Sequence, residues 1–307
     1  DSDLKVLLML NRRGFSPFLL CPACSFVAKC KRCSVSLTYH KSNNILKCHH
    51  CDYSVKAISS CPKCGSIWLR YAGSGTQKLE QKVRDILPNE IVIRLDKDTS
   101  KNNKAGKTLE KFKKAKKAIL LGTQIIGKGF DFKDIALVGI VNADTSLNFP
   151  DFRAGERTYQ LIRQVAGRSG RGRMKGTVLI QSYNSDHYAI KAALKDNYEE
   201  FYSKEIGLRK ELNYPPYSRL INIGFYSENF SDTRSASEEL FKQLEQYSEI
   251  EVLGPCAAPI AKMKNHYRWH ILIKTSGKLP KGLSDTLKKF RYKNINIAID
   301  VDPQSLL

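Results

Sequence analysis

Eight cysteines in four Cys-x-x-Cys pairs are the residues most obviously equipped for chemistry. The pairs are Cys21/Cys24, Cys30/Cys33, Cys48/Cys51 and Cys61/Cys64, separated by 5, 14 and 9 residues. A Cys-x-x-Cys turn presents two thiolates to one side of a metal, and Zn²⁺ takes four in a tetrahedron. Four turns therefore supply two closed structural zinc sites with no open coordination position. The 14-residue gap suits a zinc-ribbon hairpin. The expected arrangement is nested: Cys30, Cys33, Cys48 and Cys51 around an inner zinc, and Cys21, Cys24, Cys61 and Cys64 around an outer one. A crossed pairing is the alternative. The competing reading is four disulfides or redox-active pairs as in thioredoxin-like folds; disulfides would need an oxidising compartment, and nothing in the sequence directs the chain to one. Because thiolates fill both sites, His40, His49 and His50 are expected to be solvated. Cys256, between Pro255 and Ala257, is expected to be a small buried residue.

Two further stretches have the composition of phosphate-handling loops. Thr123-Gln124-Ile125-Ile126-Gly127-Lys128-Gly129-Phe130-Asp131 follows an apolar strand. Its hydroxyl, small residues, free backbone N–H groups and one cation suit close approach to a phosphodiester. Gln164-Val165-Ala166-Gly167-Arg168-Ser169-Gly170-Arg171-Gly172-Arg173 closes a helix. Arginines three apart and framed by glycine can fork onto phosphate oxygens and stabilise charge in phosphoryl transfer. Taken singly, each stretch reads equally well as a glycine turn or a basic surface. In tandem behind regular elements they are far more specific.

The elements that must position these residues follow from periodicity. Lys5–Leu10, Ile67–Tyr71, Ile91–Leu95, Ala118–Gly122, Ala136–Val141 and Thr177–Ile180 read as strands. Helical patterns lie between them, over Gln77–Leu87, up to Lys116 and over Arg153–Val165, with Asp186–Lys195 after the last strand. Strands alternating with helices imply a parallel α/β sheet, with the cysteine module inserted after its first strand. Beyond Asn213-Tyr214-Pro215-Pro216 the order becomes βαββαβ, the ferredoxin-like split arrangement. A helix over Tyr198–Leu212 connects the two parts.

Composition bounds the function. The 307 residues carry 51 Lys/Arg against 30 Asp/Glu, a net charge of +21, with pI ≈ 9.6. The excess points to a polyanion. It concentrates in residues 1–70, with 11 Lys/Arg against 3 Asp/Glu, and in 257–294, with 10 against 1. No apolar run approaches the ~18 residues of a membrane span. Asp1–Lys5 lacks both an initiator Met and a signal-peptide shape, as in a piece of a longer protein. A membrane partner is not expected.

The two phosphate stretches together resemble motifs V and VI of superfamily 2 helicases. The motif VI form Q-x-x-G-R-x-x-R is matched by Gln164, Gly167, Arg168 and Arg171. Four further segments are Asn11-Arg12-Arg13-Gly14, Arg94–Thr99, Asp151–Arg157 and Asp300–Gln304. With the cysteine array they narrow the likeness to the bacterial primosomal protein N′ family of replication restart helicases, over essentially the whole chain. Phe130 stands where many members carry His. The G-x-x-x-x-G-K-[ST] loop of a first helicase lobe does not occur in these residues.

That resemblance implies a RecA-like helicase lobe 2 over 1–20 and 65–200, a double zinc-ribbon insertion over 21–64 and a C-terminal domain over 201–307. It implies an ATP-dependent 3′→5′ DNA helicase acting at stalled forks, with ATP and Mg²⁺ in the complete protein and two structural Zn²⁺ here. Arg168 and Arg171 correspond to the pair that reaches the γ-phosphate, supported by Gln164. Gly129 and Asp131 belong to the nucleotide-contacting part of motif V. Thr123, Lys128, Arg12 and Arg13 are assigned to DNA. So are Lys264 and Arg268, in a hairpin where Lys262, His266, Tyr267, Trp269 and His270 interleave cations with aromatics. Strand alternation puts Tyr267 and Trp269 on one face and Arg268 and His270 on the other, so Trp269 could instead be core. Expected partners are branched and single-stranded DNA, the single-stranded-DNA-binding protein and other primosome proteins. The expected location is the bacterial cytoplasm, at the nucleoid. The chain alone is expected not to hydrolyse ATP. The competing reading is a non-enzymatic zinc-ribbon nucleic-acid-binding or assembly protein, which accounts for the charge and the cysteines but not for motif VI.

Overall fold

A computed structural model describes residues 4–10, 18–33, 35–40, 43–72, 76–95, 104–123, 135–169 and 176–306. The chain runs through β1 (Lys5–Leu10), then the short strands β2 (Phe18–Leu20), β3 (Thr38–His40), β4 (Ile45–Lys47), β5 (Ser54–Lys56) and β6 (Arg70–Ala72). Next come α1 (Thr76–Ile86), β7 (Val92–Leu95), α2 (Lys104–Lys114), β8 (Ala118–Gly122), β9 (Ile135–Val141), α3 (Asp144–Leu147), α4 (Ala154–Ala166), β10 (Thr177–Ile180) and α5 (Tyr188–Leu194). Helix α6 (Tyr198–Glu211) leads to β11 (Arg219–Ser227), α7 (Phe230–Leu244), β12 (Ile250–Met263), β13 (His266–Thr275), α8 (Leu283–Lys289) and β14 (Asn296–Val301).

The chain forms two compact units. One comprises 1–14, 72–148 and 153–203; the other comprises 15–71, 149–152 and 204–307. The zinc-module segment and the C-terminal segment thus share a unit, a grouping that differs from the three-part layout expected from sequence.

The first unit is built on a five-stranded sheet of order β10-β9-β1-β8-β7, and every pairing is parallel. Strand β1 is central, and its near-continuous apolar run suits a strand buried on both faces. Leu7, Met9, Leu120, Val138 and Ile140 pack against Phe112, Ile162, Val165 and Ile190 from the helices. Asp144, buried at the start of α3, accepts from the backbone N–H of Tyr183 (2.8 Å) and Asn184 (3.2 Å) and from the Ser182 hydroxyl (3.1 Å). That carboxylate ties the exit of β9 to the exit of β10, a role the sequence reading did not assign.

In the second unit the C-terminal sheet has the order β12-β13-β11-β14, antiparallel throughout. With α7 and α8 it realises the expected βαββαβ fold. Ile221, Ile223, Phe225, Trp269, Ile271 and Ile273 form its core with Ala236, Leu240 and Leu244 of α7. The cysteine segment adds a sheet of order β5-β4-β3-β2-β6. Its strands are only three residues long, so their register rests on the metal knuckles and a small apolar cluster that includes Leu19, Val35, Leu37 and Leu46. A strand was expected over Ile67–Tyr71, but regular pairing begins only at Arg70. Among the described residues, no helix is long and apolar enough to cross a membrane.

Candidate functional site

The four cysteine turns share one backbone design. In each, the N–H of the first Cys donates to the carbonyl five residues on: Cys21 to Phe26, Cys30 to Val35, Cys48 to Tyr53 and Cys61 to Ser66, at 2.8–2.9 Å. The residue after the second Cys turns left-handed in the three turns where it is described: Ser25 (φ 62°), Asp52 (φ 61°) and Gly65 (φ 73°). This closes a tight knuckle that aims both sulfurs inward.

The knuckles combine as the nested pairing predicts. Cys21, Cys24, Cys61 and Cys64 form one tetrad, and Cys30, Cys33, Cys48 and Cys51 the other, with all four sulfurs of each within 4.8 Å. Neighbouring sulfurs lie 3.5–3.6 Å apart. A disulfide needs about 2.05 Å, whereas Zn–S bonds of about 2.3 Å place tetrahedral sulfurs roughly 3.8 Å apart. Hydrogen bonds from Cys33, Cys48 and Cys51 pull the Cys30 thiol far down. Hydrogen bonding to Cys30 pushes Cys33 far up. A divalent ion would take all four as thiolates and remove this imbalance. The donor set fits Zn²⁺ at both positions, and four protein ligands apiece make the sites structural.

The histidines overturn an expectation. His49 and His50, the two middle residues of the Cys48–Cys51 knuckle, are 1% exposed rather than solvated. Two carbonyl contacts settle their tautomers, because a carbonyl can only accept. His49 Nδ1–H donates to Ala257 O (2.8 Å), so His49 Nε2 accepts from His40 Nε2–H (3.2 Å). His50 Nε2–H donates to Pro150 O (3.2 Å), leaving Nδ1 to accept from the Tyr214 hydroxyl (3.4 Å). The backbone joins in: His270 Nε2–H donates to His49 O at 2.6 Å. Burial pushes His49 down to about 3 and His270 down to about 4, so both rings are neutral near pH 7. Cys256 is fully buried beside them, as expected, and burial raises its thiol.

This seam requires the bulge in β12. Its pairing with β13 shifts between Leu253 and Cys256, where Gly254 adopts φ +107°. A Cβ at Gly254 would stand 3.0 Å from His270 O, so only glycine lets the strand pass this close to His270. Tyr214, also buried, stacks on Phe152 with ring centroids 4.7 Å apart.

The other sequence candidates fall at separate places. Lys264 and Asn265 both have positive φ (50° and 64°) and form a two-residue hairpin turn between β12 and β13. Lys264 is exposed at its tip. Arg268 is only 8% exposed, its guanidinium 5.5 Å from the Tyr226 ring centroid. Alternation assigned the faces correctly: Tyr267 and Trp269 meet Phe230 of α7, while His270 meets the zinc module. Trp269 is core.

In the parallel-sheet unit, Thr123 is half-buried just beyond the end of β8, and Gln164 is exposed on α4. Arg168 lies in the turn after α4, where the adjacent Ser169 hydroxyl donates to Thr177 O (3.4 Å) at the start of β10. The register sets Thr177 level with Leu137, Val6 and Ile119. Thr123 follows β8, the strand next to the β7 edge, and Ser169 meets the β10 edge, so the two positions are three strands apart. At about 4.8 Å per strand and 3.3 Å per residue they are roughly 20 Å from one another. Arg12, Arg13, Lys128, Gly129, Asp131 and Arg171 lie outside the described residues.

Three family models match in chain order. They are the PriA DNA helicase Cys-rich region domain over residues 30–56, the helicase conserved C-terminal domain over 71–173 and the primosomal protein N C-terminal domain over 210–304. This chain belongs to the PriA family. The replication restart protein PriA of Bacillus subtilis is 38% identical over 99% of the chain and 39% of its own length. PriA of Borreliella burgdorferi is 39% identical over 98% of the chain and 46% of its own length. The chain therefore spans less than half the length of these relatives. Domain 2 of the DEAD-box helicase Mss116p, solved with an RNA duplex, aligns with 56% of the chain and 59% of its own at 15% identity, TM-score 0.30. The PriA Cys-rich model encloses the whole inner tetrad. The helicase model encloses Thr123, Gln164, Arg168 and Arg171.

Proposed function

We propose that this chain is the part of an ATP-dependent 3′→5′ DNA helicase that carries its second motor lobe, its zinc module and its C-terminal domain, and that the complete protein unwinds stalled replication forks and assembles the primosome. The observation that carries the reading is Gln164-x-x-Gly167-Arg168-x-x-Arg171 inside the helicase-model match, with the Cys-rich match before it and the PriA C-terminal match after it.

In this reading Arg168 and Arg171 bring cationic forks to the γ-phosphate of ATP, and Gln164, Gly129 and Asp131 complete this lobe's share of the nucleotide site. Bound ATP with Mg²⁺ supplies the free energy of unwinding when it is hydrolysed. Thr123, Lys128, Arg12 and Arg13 face the DNA backbone. The sheet supports such a division of labour, because Thr123 and the turn holding Arg168 stand three strands apart. Lys264, exposed at its hairpin tip, is the better placed of the two C-terminal candidates to reach a phosphate. Arg268 acts mainly by holding the sheet face. The single-stranded-DNA-binding protein and primosome proteins are the proposed partners, in the bacterial cytoplasm at the nucleoid.

The test is Arg171→Ala in the full-length protein. DNA-stimulated ATP hydrolysis should fall by about a thousandfold, as for loss of other arginines that stabilise phosphoryl transfer, while fork binding persists. Unchanged hydrolysis would reduce the chain to a zinc-ribbon binding module. The 307-residue chain by itself should hold two zinc ions and show no DNA-stimulated ATPase, since the phosphate loop of the first lobe is not among its residues.

A further inference from the structure

The outer zinc tetrad carries a feature that metal binding does not use. Trp68 is 78% exposed and Ile67 73% exposed, immediately after the Cys61–Cys64 knuckle. An indole so open to water is costly, and it is held there by construction. Trp68 N–H donates to Ser66 Oγ (3.2 Å), and Leu69 N–H donates to Ile67 O (3.0 Å). The second bond makes Trp68 the apex of a three-residue turn. Ser66 on one side is fixed by its carbonyl, which receives the Cys61 N–H at 2.8 Å. Leu69 on the other side packs into the apolar cluster of the zinc module. The ring is thus presented outward on a backbone pinned at both ends.

The charge of the module that carries it selects the occupant. Residues 15–71 contain eight Lys/Arg and one acidic residue, Asp52. Asp52 is engaged by Lys47 at 2.7 Å. Lys31, Arg32, Lys56 and Lys63 are exposed, and Lys63 lies in the same knuckle as the turn that raises Trp68. A protein partner docking on Ile67 and Trp68 would have to supply acids to match this field. A single nucleic-acid strand brings both complements together, phosphates for the cations and unstacked bases for the indole. Duplex DNA offers the phosphates but keeps its base faces stacked.

We propose that Trp68 is a base-stacking platform for single-stranded nucleic acid on the outer zinc knuckle. The proposal rests on the DNA-binding reading above and goes further by naming the residue, the strand form and the contact.

The chain has two tryptophans, and Trp269 is buried in the C-terminal core, so emission can be assigned. In the 307-residue chain carrying Trp269→Phe, an oligodeoxythymidylate should quench Trp68 emission in step with the rise in anisotropy of the labelled oligonucleotide. In the otherwise unchanged chain, Trp68→Ala should weaken oligonucleotide binding about tenfold, the order of one stacked base. The salt slope should stay the same, because no phosphate contact is lost. Trp68→Phe should recover most of the affinity. Two zinc ions per chain in each variant confirm folding, and the Trp68→Ala comparison stands even if Trp269→Phe does not fold. Binding without quenching, with Trp68→Ala as tight as the parent, overturns the platform and leaves the DNA-binding reading intact. No anisotropy change at low salt overturns both.

Discussion

The inner and outer zinc tetrads use the same ligands, the same knuckle hydrogen bonds and nearly the same sulfur spacing, yet they are embedded differently. The outer site has an exposed ligand, Cys64, and the middle residues of its Cys61–Cys64 knuckle, Pro62 and Lys63, face solvent. The inner site has three buried ligands, and the middle residues of one knuckle, His49 and His50, reach into the C-terminal sheet and the 149–152 segment. The cysteines decide that a metal binds. The two residues between them decide whether that metal braces a local loop or a whole folding unit. An imidazole suits the second role because one ring nitrogen donates while the other accepts, so a fully buried side chain can leave neither unsatisfied.

The largest test of this contrast removes one ligand from each tetrad. Cys48→Ser and Cys64→Ser should each lower zinc from two ions per chain to one. A structural site contributes on the order of 10 kcal/mol, comparable to the whole stability of a domain. Hydrogen exchange should separate the variants. Loss of the inner site should release amide protection in β12 and β13 around Ala257 and His270, whereas loss of the outer site should leave those strands protected. Equal effects on the C-terminal sheet would erase the distinction.

Next in size is His50→Ala. It strips both partners from a fully buried ring, leaving the Tyr214 hydroxyl and the Pro150 carbonyl without their bonds, and should cost about 2–4 kcal/mol in urea unfolding. A smaller effect comes from His270. Its folded value is pushed down to about 4 from an ordinary 6.5 by burial, so the unfolded chain takes up the proton first as pH falls. The stabilisation is complete above pH 6.5 and declines towards pH 4. Between pH 7 and 5 the loss should be about 2 kcal/mol from this group. His270→Gln, which can keep an N–H for His49 O, should remove that share; the quantity to compare is the parent-minus-variant difference at the two pH values. Smaller again, Gly65→Ala forces a side chain into a left-handed position on the outer knuckle and should cost about 1 kcal/mol. Lys63→Ala, the solvent-facing counterpart of His50, should stay within about 0.5 kcal/mol.

What could be read in advance was what spacing encodes. The 14-residue gap between Cys33 and Cys48 selected the nested tetrads. The β/α alternation gave the parallel sheet, and the change of pattern after Pro216 gave the βαββαβ domain. The environment of His49 and His50 was hidden because Ala257, His270 and Tyr214 lie far along the chain, and no local pattern links them. For Arg268, alternation gave the correct face but not what covers it. The strand expected over Ile67–Tyr71 failed for a local reason: two hydrogen bonds fold Trp68 into a turn before pairing starts. Asp144 went unassigned because a carboxylate that ties two strand exits together resembles any other acid after a strand.

The position of β1 has a consequence for the order in which the protein can fold. This strand leaves the ribosome before its sheet neighbours, yet Lys5 pairs with Ala118 on one side and Ile135 on the other. In between, the chain must make the entire zinc module. A central parallel strand is not paired on both sides until both neighbours exist, so β1 has no partner in this sheet until β8 is made and no second one until β9 follows. Two metal clamps that shorten the effective loop between β1 and α1 lower the entropy cost of bringing it back. Zinc supply during translation would then govern the yield of folded protein as well as its final stability.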